Sequence, residues 1–232
     1  KGDAEMSGAK AVCSGVYAVG GPGLSSPEDA CAYLVDASTS LVLIDAGAGH
    51  GINRMEENIR STGGQPESVW HIIATHCHID HIGGLFAWKE RYGCRIIAHE
   101  LDRAGIEGER PDLTAAGMYG VDYRPVKVDM MLSGDGGTVR LGDVDFHFLH
   151  TPGHTPGSIC IYIDGPDGRI LFGQDIHGPF SPAWGSDISK WRASMGRLLE
   201  LKADVLCEGH AGIFRGEKVN RYIESYLKRY ER

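Results

Sequence analysis

No apolar run in this 232-residue chain approaches the roughly 20 residues that a membrane-spanning helix needs, so no membrane association is expected. Positive charge is also scarce: 23 Lys and Arg stand against 31 Asp and Glu, a formal charge of -8. That balance argues against nucleic acid as a partner, because phosphate backbones are bound by basic patches. The six cysteines, Cys13, Cys31, Cys77, Cys94, Cys160 and Cys207, have no paired spacing, and several lie in apolar stretches. This argues against a disulfide framework and for reduced thiols in a cytoplasmic protein. The first residues lack the charged-then-apolar order of a secretory leader, but the chain starts at Lys1 rather than Met, so a leader removed earlier is left open. Low-complexity segments and short-period repeats are absent too. What is present is ordinary for a globular protein, 42% hydrophobic and 23% charged residues, and the length suits a single domain over 1–232.

Against that background the run Thr75-His76-Cys77-His78-Ile79-Asp80-His81 is unusual, since core packing does not select three imidazoles and a carboxylate in six positions. Imidazole nitrogen and carboxylate oxygen are good ligands for first-row divalent metals. In an extended segment alternate side chains point the same way, so His76 and His78 can grip one ion, leaving Asp80 and His81 for a second. Cys77, between them, points the other way and reads as a buried structural thiol. The apolar run 69–74 is of strand type, Gly83-Gly84 permits a turn, and 85–92 is a helix candidate, which puts the cluster on a loop at a strand end.

Four residues cannot complete two coordination shells, so further ligands are required. The alternating strand 144–149 leads into Thr151-Pro152-Gly153-His154-Thr155-Pro156-Gly157-Ser158, whose Pro-Gly turns hold His154. The apolar strand at 170–172 leads to Asp175, and the one at 205–206 leads to His210. Four strands each followed by a ligand-type residue are the means by which a layered α/β fold gathers a site from distant sequence.

Taken in order, His-x-His-x-Asp-His, Thr-Pro-Gly-His-Thr-Pro-Gly-Ser, strand-Asp and Gly-His resemble the metallo-β-lactamase superfamily. The run Leu41-Val42-Leu43-Ile44-Asp45-Ala46-Gly47 is similar to that family's Asp-containing first motif, so the resemblance covers nearly the whole chain. It implies an α/β fold, a four-layer αββα sandwich of the metallo-β-lactamase type. It also implies that His76, His78 and His154 hold a first metal, that Asp80, His81 and His210 hold a second, and that Asp175 bridges them. Asp45 would then accept the free ring N–H of a ligand histidine.

Such a site makes hydroxide available from a shared water near neutral pH, so the expected activity is that of a binuclear metal-dependent hydrolase of a small ester, thioester or lactone. A metal-bridging hydroxide would attack and Asp80 would orient it or shuttle its proton. Zinc is the first choice of ion, and iron and manganese suit the same donors. The Thr-Pro-Gly-His motif is most similar to the glyoxalase II-like and lactonase-like branch. The alternatives are a mononuclear iron persulfide dioxygenase and a non-catalytic ligand-binding module on the same fold. The substrate is expected to be a small molecule, and a homodimer is the assembly considered. His177, two positions after Asp175, is aimed by alternation toward the same rim. Phe180 and Trp184, in the loop 178–187, are candidates for an apolar pocket. The long segment 101–124 reads as a lid insert. His50, His71, His99, His147 and His150 lack a partner at ligand spacing and read as surface or core residues.

Overall fold

Most strands of this chain are apolar on both faces, which calls for cover on both sides of each sheet. The computed structural model describes residues 8–231 and shows how that cover is supplied. One seven-stranded sheet contains, in spatial order, β1 (Lys10–Cys13), β2 (Val16–Gly20), β3 (Ala32–Asp36), β4 (Leu41–Ile44), β5 (Val69–Ile73), β6 (Arg95–His99) and β7 (Met130–Leu132). The six-stranded sheet is made of β8 (Gly136–Leu141), β9 (Val144–His150), β10 (Ile159–Gly165), β11 (Gly168–Gln174), β12 (Val205–Glu208) and β13 (Ile213–Arg215), with β13 and β8 at its edges. Helices α1 (Ile52–Ser61) and α3 (Leu85–Tyr92) pack on the first sheet, and α6 (Ile188–Leu201) and α7 (Glu217–Arg229) on the second. One-turn helices α2 (Ile79–Ile82), α4 (Arg103–Ile106) and α5 (Ala116–Tyr119) lie in the connections.

Alternation along single strands divides the side chains among three cores. Val42 and Ile44 enter the core between the sheets, where they meet Phe146, Ile161 and Phe172, while Leu41 and Leu43 turn outward to Met55, Ile59 and Trp88 beneath α1 and α3. On the other sheet Ile159, Ile161 and Ile163 face inward, whereas Cys160, Leu171 and Leu206 pack under Trp191, Met195, Leu198 and Ile223 of α6 and α7. The result is the four-layer αββα sandwich. Leu43 is fully buried, and truncating such a residue to Ala costs about 2–5 kcal/mol.

The helix expected at 85–92 is present with those bounds. The metal loop is more structured than a loop: Ile79–Ile82 forms a helical turn, which lets the consecutive Asp80 and His81 both face inward. After segment 101–124, strand structure resumes at Met130. Strand β13 had no sequence signal, being only three residues long. Segment 101–124 contains α4, α5 and a 3-10 turn at Pro111–Thr114. None of the helices among the described residues is long and apolar enough to cross a membrane.

The parallel pairing of β4, β5 and β6 carries their C-terminal ends to one edge of the first sheet, and β9, β11 and β12 deliver theirs to the adjoining edge of the second. The strand-end residues therefore meet between the sheets.

Candidate metal centre

Asp45 follows β4 with φ 62°, a left-handed conformation that costs free energy for a residue bearing a side chain. Its carboxylate accepts the Thr75 backbone N–H on Oδ1 and the Thr75 hydroxyl on Oδ2, both at 2.8 Å, and lies 2.7 Å from His81 Nδ1. Thr75 Oγ1 is also 3.1 Å from His76 Nδ1. With Asp45 and Thr75 accepting the Nδ1 protons, the Nε2 atoms of His76 and His81 are the ones turned inward.

His154 donates Nδ1–H to the Pro179 carbonyl at 2.8 Å, and its Nε2 lies 2.8 Å from His78 Nδ1. Asp175 lies between the rings, with Oδ2 at 3.5 Å from His154 Nε2 and 4.0 Å from His76 Nε2, and Oδ1 at 3.1 Å from His81 Nε2 and 3.2 Å from His210 Nε2. Asp80 Oδ2 is 3.2 Å from His210 Nε2 and accepts the Tyr119 phenol at 3.1 Å. One ligand atom from each of His76, His78, His154 and Asp175 lies within 4.8 Å of the others, and the same holds for Asp80, His81, Asp175 and His210. Asp175 belongs to both groups.

The donors suit divalent cations. The buried Nε2 atoms of His76 and His81 and Oδ1 of Asp175 have no hydrogen-bond partner; His81 Nε2 and Asp175 Oδ1 are close but not aligned for one. Unpartnered buried polar atoms are costly, and a shared cation is the economical explanation for several that converge. Burial depresses the basicity of His76, His78 and His154, taking His78 to about 3, so these rings are neutral ligands at physiological pH. Burial would raise Asp175 and Asp80, but the charges of His81 and His210 outweigh it and hold both ionised. Burial opposes a proton on His210 as well, yet Asp175 and Asp80 push it up to about 10. Without a cation, protons on His81 and His210 balance the two carboxylates.

Three side chains with no ligand-type spacing support this arrangement. Asp102, fully buried, accepts the N–H groups of Cys77 and Gly157 and the hydroxyl of Thr155 at 2.9, 2.7 and 2.7 Å. Glu208, also buried, accepts the N–H groups of His210 and Ala211 on Oε2, both at 2.7 Å, and Nδ1–H of His177 on Oε1 at 2.7 Å. Tyr119 reaches Asp80 from α5. Asp102 lies just beyond β6, so the same attention to strand ends that found His154 would have found it; Tyr119 carries no such signal. Gly209 is required, because a Cβ there would lie 2.3 Å from Asp175 Oδ1.

A cavity of about 310 Å³ opens over Asp80, Asp175 and His210 and is walled by Ala115, Met118, Tyr119, His177, Pro179 and Trp184. The Trp184 ring stands 4.8 Å from that of His78. Phe180 does not line the cavity. Its ring packs 5.2 Å from Trp191 and 5.0 Å from Tyr230, against the core beneath α6 and beside the end of α7. Cys77 is buried, with Sγ 3.5 Å from the Leu113 carbonyl. His99 stacks on His150 and His147 on Tyr162, away from the cavity.

The sequence model of the metallo-beta-lactamase superfamily matches residues 27–210. An uncharacterized protein of Aquifex aeolicus is 31% identical over 176 residues, 75% of each chain. The acyl-coenzyme A thioesterase MBLAC2 of Gallus gallus is 27% identical over 95% of this chain and 86% of its own. Among solved structures, a Cronobacter sakazakii metallo-beta-lactamase with a HARLDQ motif superposes with a TM-score of 0.82 at 23% identity, covering 98% of this chain and 94% of that one. The chain belongs to the metallo-β-lactamase superfamily, and within it is a metal-dependent hydrolase.

Proposed function

We propose that this protein hydrolyses a small ester, thioester or lactone with two divalent cations, zinc foremost. The observation that carries this reading is that Asp175 is common to two otherwise separate ligand groups. His76, His78 and His154 would hold one cation, Asp80, His81 and His210 the other, with Asp175 between them. When bound, the pair supplies Lewis acidity toward the substrate carbonyl and lowers the pKa of a shared water. Asp80 orients the attacking water and takes up its proton, a role open to a carboxylate that lines the cavity beside His210. Tyr119, bonded to Asp80, fixes that carboxylate from the cavity side. Asp45 and Thr75 orient His81 and His76, and Glu208 holds both His177 and the backbone of His210. Pro179 and Trp184 exclude water from the floor of the cavity.

A relative that is an acyl-coenzyme A thioesterase supports the thioester option. The completeness of both ligand groups favours hydrolysis over mononuclear iron sulfur oxidation. The test is proton release by zinc-loaded protein, under argon, with acyl thioesters, aryl esters, lactones, β-lactams and phosphodiesters. Turnover of an acyl compound is expected, and activity restricted to phosphodiesters or β-lactams would overturn the proposal.

A further inference from the structure

The cavity walls differ in kind from the metal ligands beneath them. Apart from His177, every wall residue that is not a ligand is apolar or a phenol: Ala115, Met118, Tyr119, Pro179 and Trp184. Among the described residues, no Lys or Arg lines the cavity. The cations of the neighbouring insert are already engaged. Arg103 is held by Glu107 at 2.7 Å and by both oxygens of Glu109 at 2.5 and 3.0 Å, and Arg110 by both oxygens of Asp112 at 2.9 and 2.6 Å. Lys190 opens onto a separate groove with Leu101 and His150.

The apolar wall is graded. Trp184 is 9% exposed at the floor, whereas Met118 is 70% and Tyr119 40% exposed at the rim. Exposed apolar side chains bordering a cavity are stabilised when an apolar ligand covers them. A carboxylate on the substrate's tail would lose its water against Met118 and Trp184, neither of which can carry a compensating charge.

We propose that this cavity selects substrate by an uncharged, apolar acyl group, gripped by Met118, Tyr119 and Trp184, and does not read an anionic leaving group. The inference rests on the acyl-hydrolase reading above and narrows its substrate class. In the reaction the acyl carbon–sulfur bond breaks and a carbon–oxygen bond to water forms. One water proton ends on the leaving sulfur, and the other is released as the acid ionises.

The experiment compares hexanoyl-CoA, hexanoyl-pantetheine and adipoyl-pantetheine on the zinc-loaded protein. The first pair differ in the phosphorylated nucleotide, and the second pair in a terminal carboxylate. Expected are kcat/KM values for the hexanoyl pair that agree within about threefold, less than one good polar contact contributes. Adipoyl-pantetheine should fall lower by about tenfold or more. Met118→Arg, at an exposed position, should narrow that gap by about tenfold. A strong preference for the CoA ester, or equal use of the adipoyl ester, overturns the proposal. If no thioester is turned over, the thioester option fails separately, and calorimetric binding of S-hexyl-pantetheine against S-(5-carboxypentyl)-pantetheine still decides the point. Tighter binding of the uncharged ligand supports it, and equal or weaker binding refutes it.

Discussion

Thr155 donates its hydroxyl to Asp102 at 2.7 Å, across 53 positions of sequence. Because the same carboxylate also accepts the Cys77 N–H, it fastens the loop bearing His76 and His78 to the loop bearing His154 without belonging to either ligand group. Asp102→Asn should therefore weaken divalent metal binding by about 10–100-fold, the usual cost of disturbing groups that orient ligands. Competition with a chromophoric chelator measures this, and an affinity equal to that of the parent protein would show that the two loops hold themselves in place.

Asp175→Ala removes the oxygen common to both ligand groups. The expected outcome is loss of metal and hydrolysis together, with two ions per chain falling to one or none by elemental analysis. Chelation of the parent protein should likewise abolish turnover and lower the melting temperature, since a ligand bound only by the folded state stabilises it. Full occupancy in the variant would refute the proposed bridging role of Asp175.

Tyr119→Phe deletes a single hydroxyl, the one that donates to Asp80. A hydrogen bond to a charged group contributes about 1.5–3 kcal/mol, so kcat should fall by about tenfold or more. The melting temperature should hardly move, because the side chain is part-exposed on a one-turn helix. A rate like that of the parent would detach the 101–124 insert from the chemistry.

Trp184→Ala enlarges the floor of the cavity beside His78. If the indole holds substrate and transition state alike, KM rises more than kcat falls. Steady-state kinetics on the best acyl substrate separates the two constants, and an unmoved KM would assign the ring to packing alone.

The clustering of these His and Asp side chains was legible in sequence because metal chemistry restricts residue type and spacing at once. His76 and His78 alternate, and His154, Asp175 and His210 each follow a strand, a pattern that packing does not imitate. The layered fold was legible for a related reason: strands such as 41–44 are apolar at every position, and only a sheet covered on both faces accommodates that. The supporting residues were harder to see. Tyr119 meets Asp80 only through the path of an irregular insert, and Glu208 looks in sequence like any strand residue until His177 and His210 are brought to it. Phe180 and Trp184 are both aromatic residues of one loop. Their different placements, one among Trp191 and Tyr230 and one in the cavity wall, are settled by tertiary contacts that composition does not encode.

The division of donors between the two sheets also orders events during synthesis. His76, His78, Asp80 and His81 emerge from the ribosome well before His154, Asp175 and His210, and Cys31 N–H must pair with the Gly209 carbonyl to seal the early hairpin against the late loop. The nascent N-terminal half can offer a passing metal ion only an incomplete, open set of donors. On the proposed ligand assignment, firm capture would wait for the segment after β12 that carries His210, and metal uptake would then report that both halves have docked.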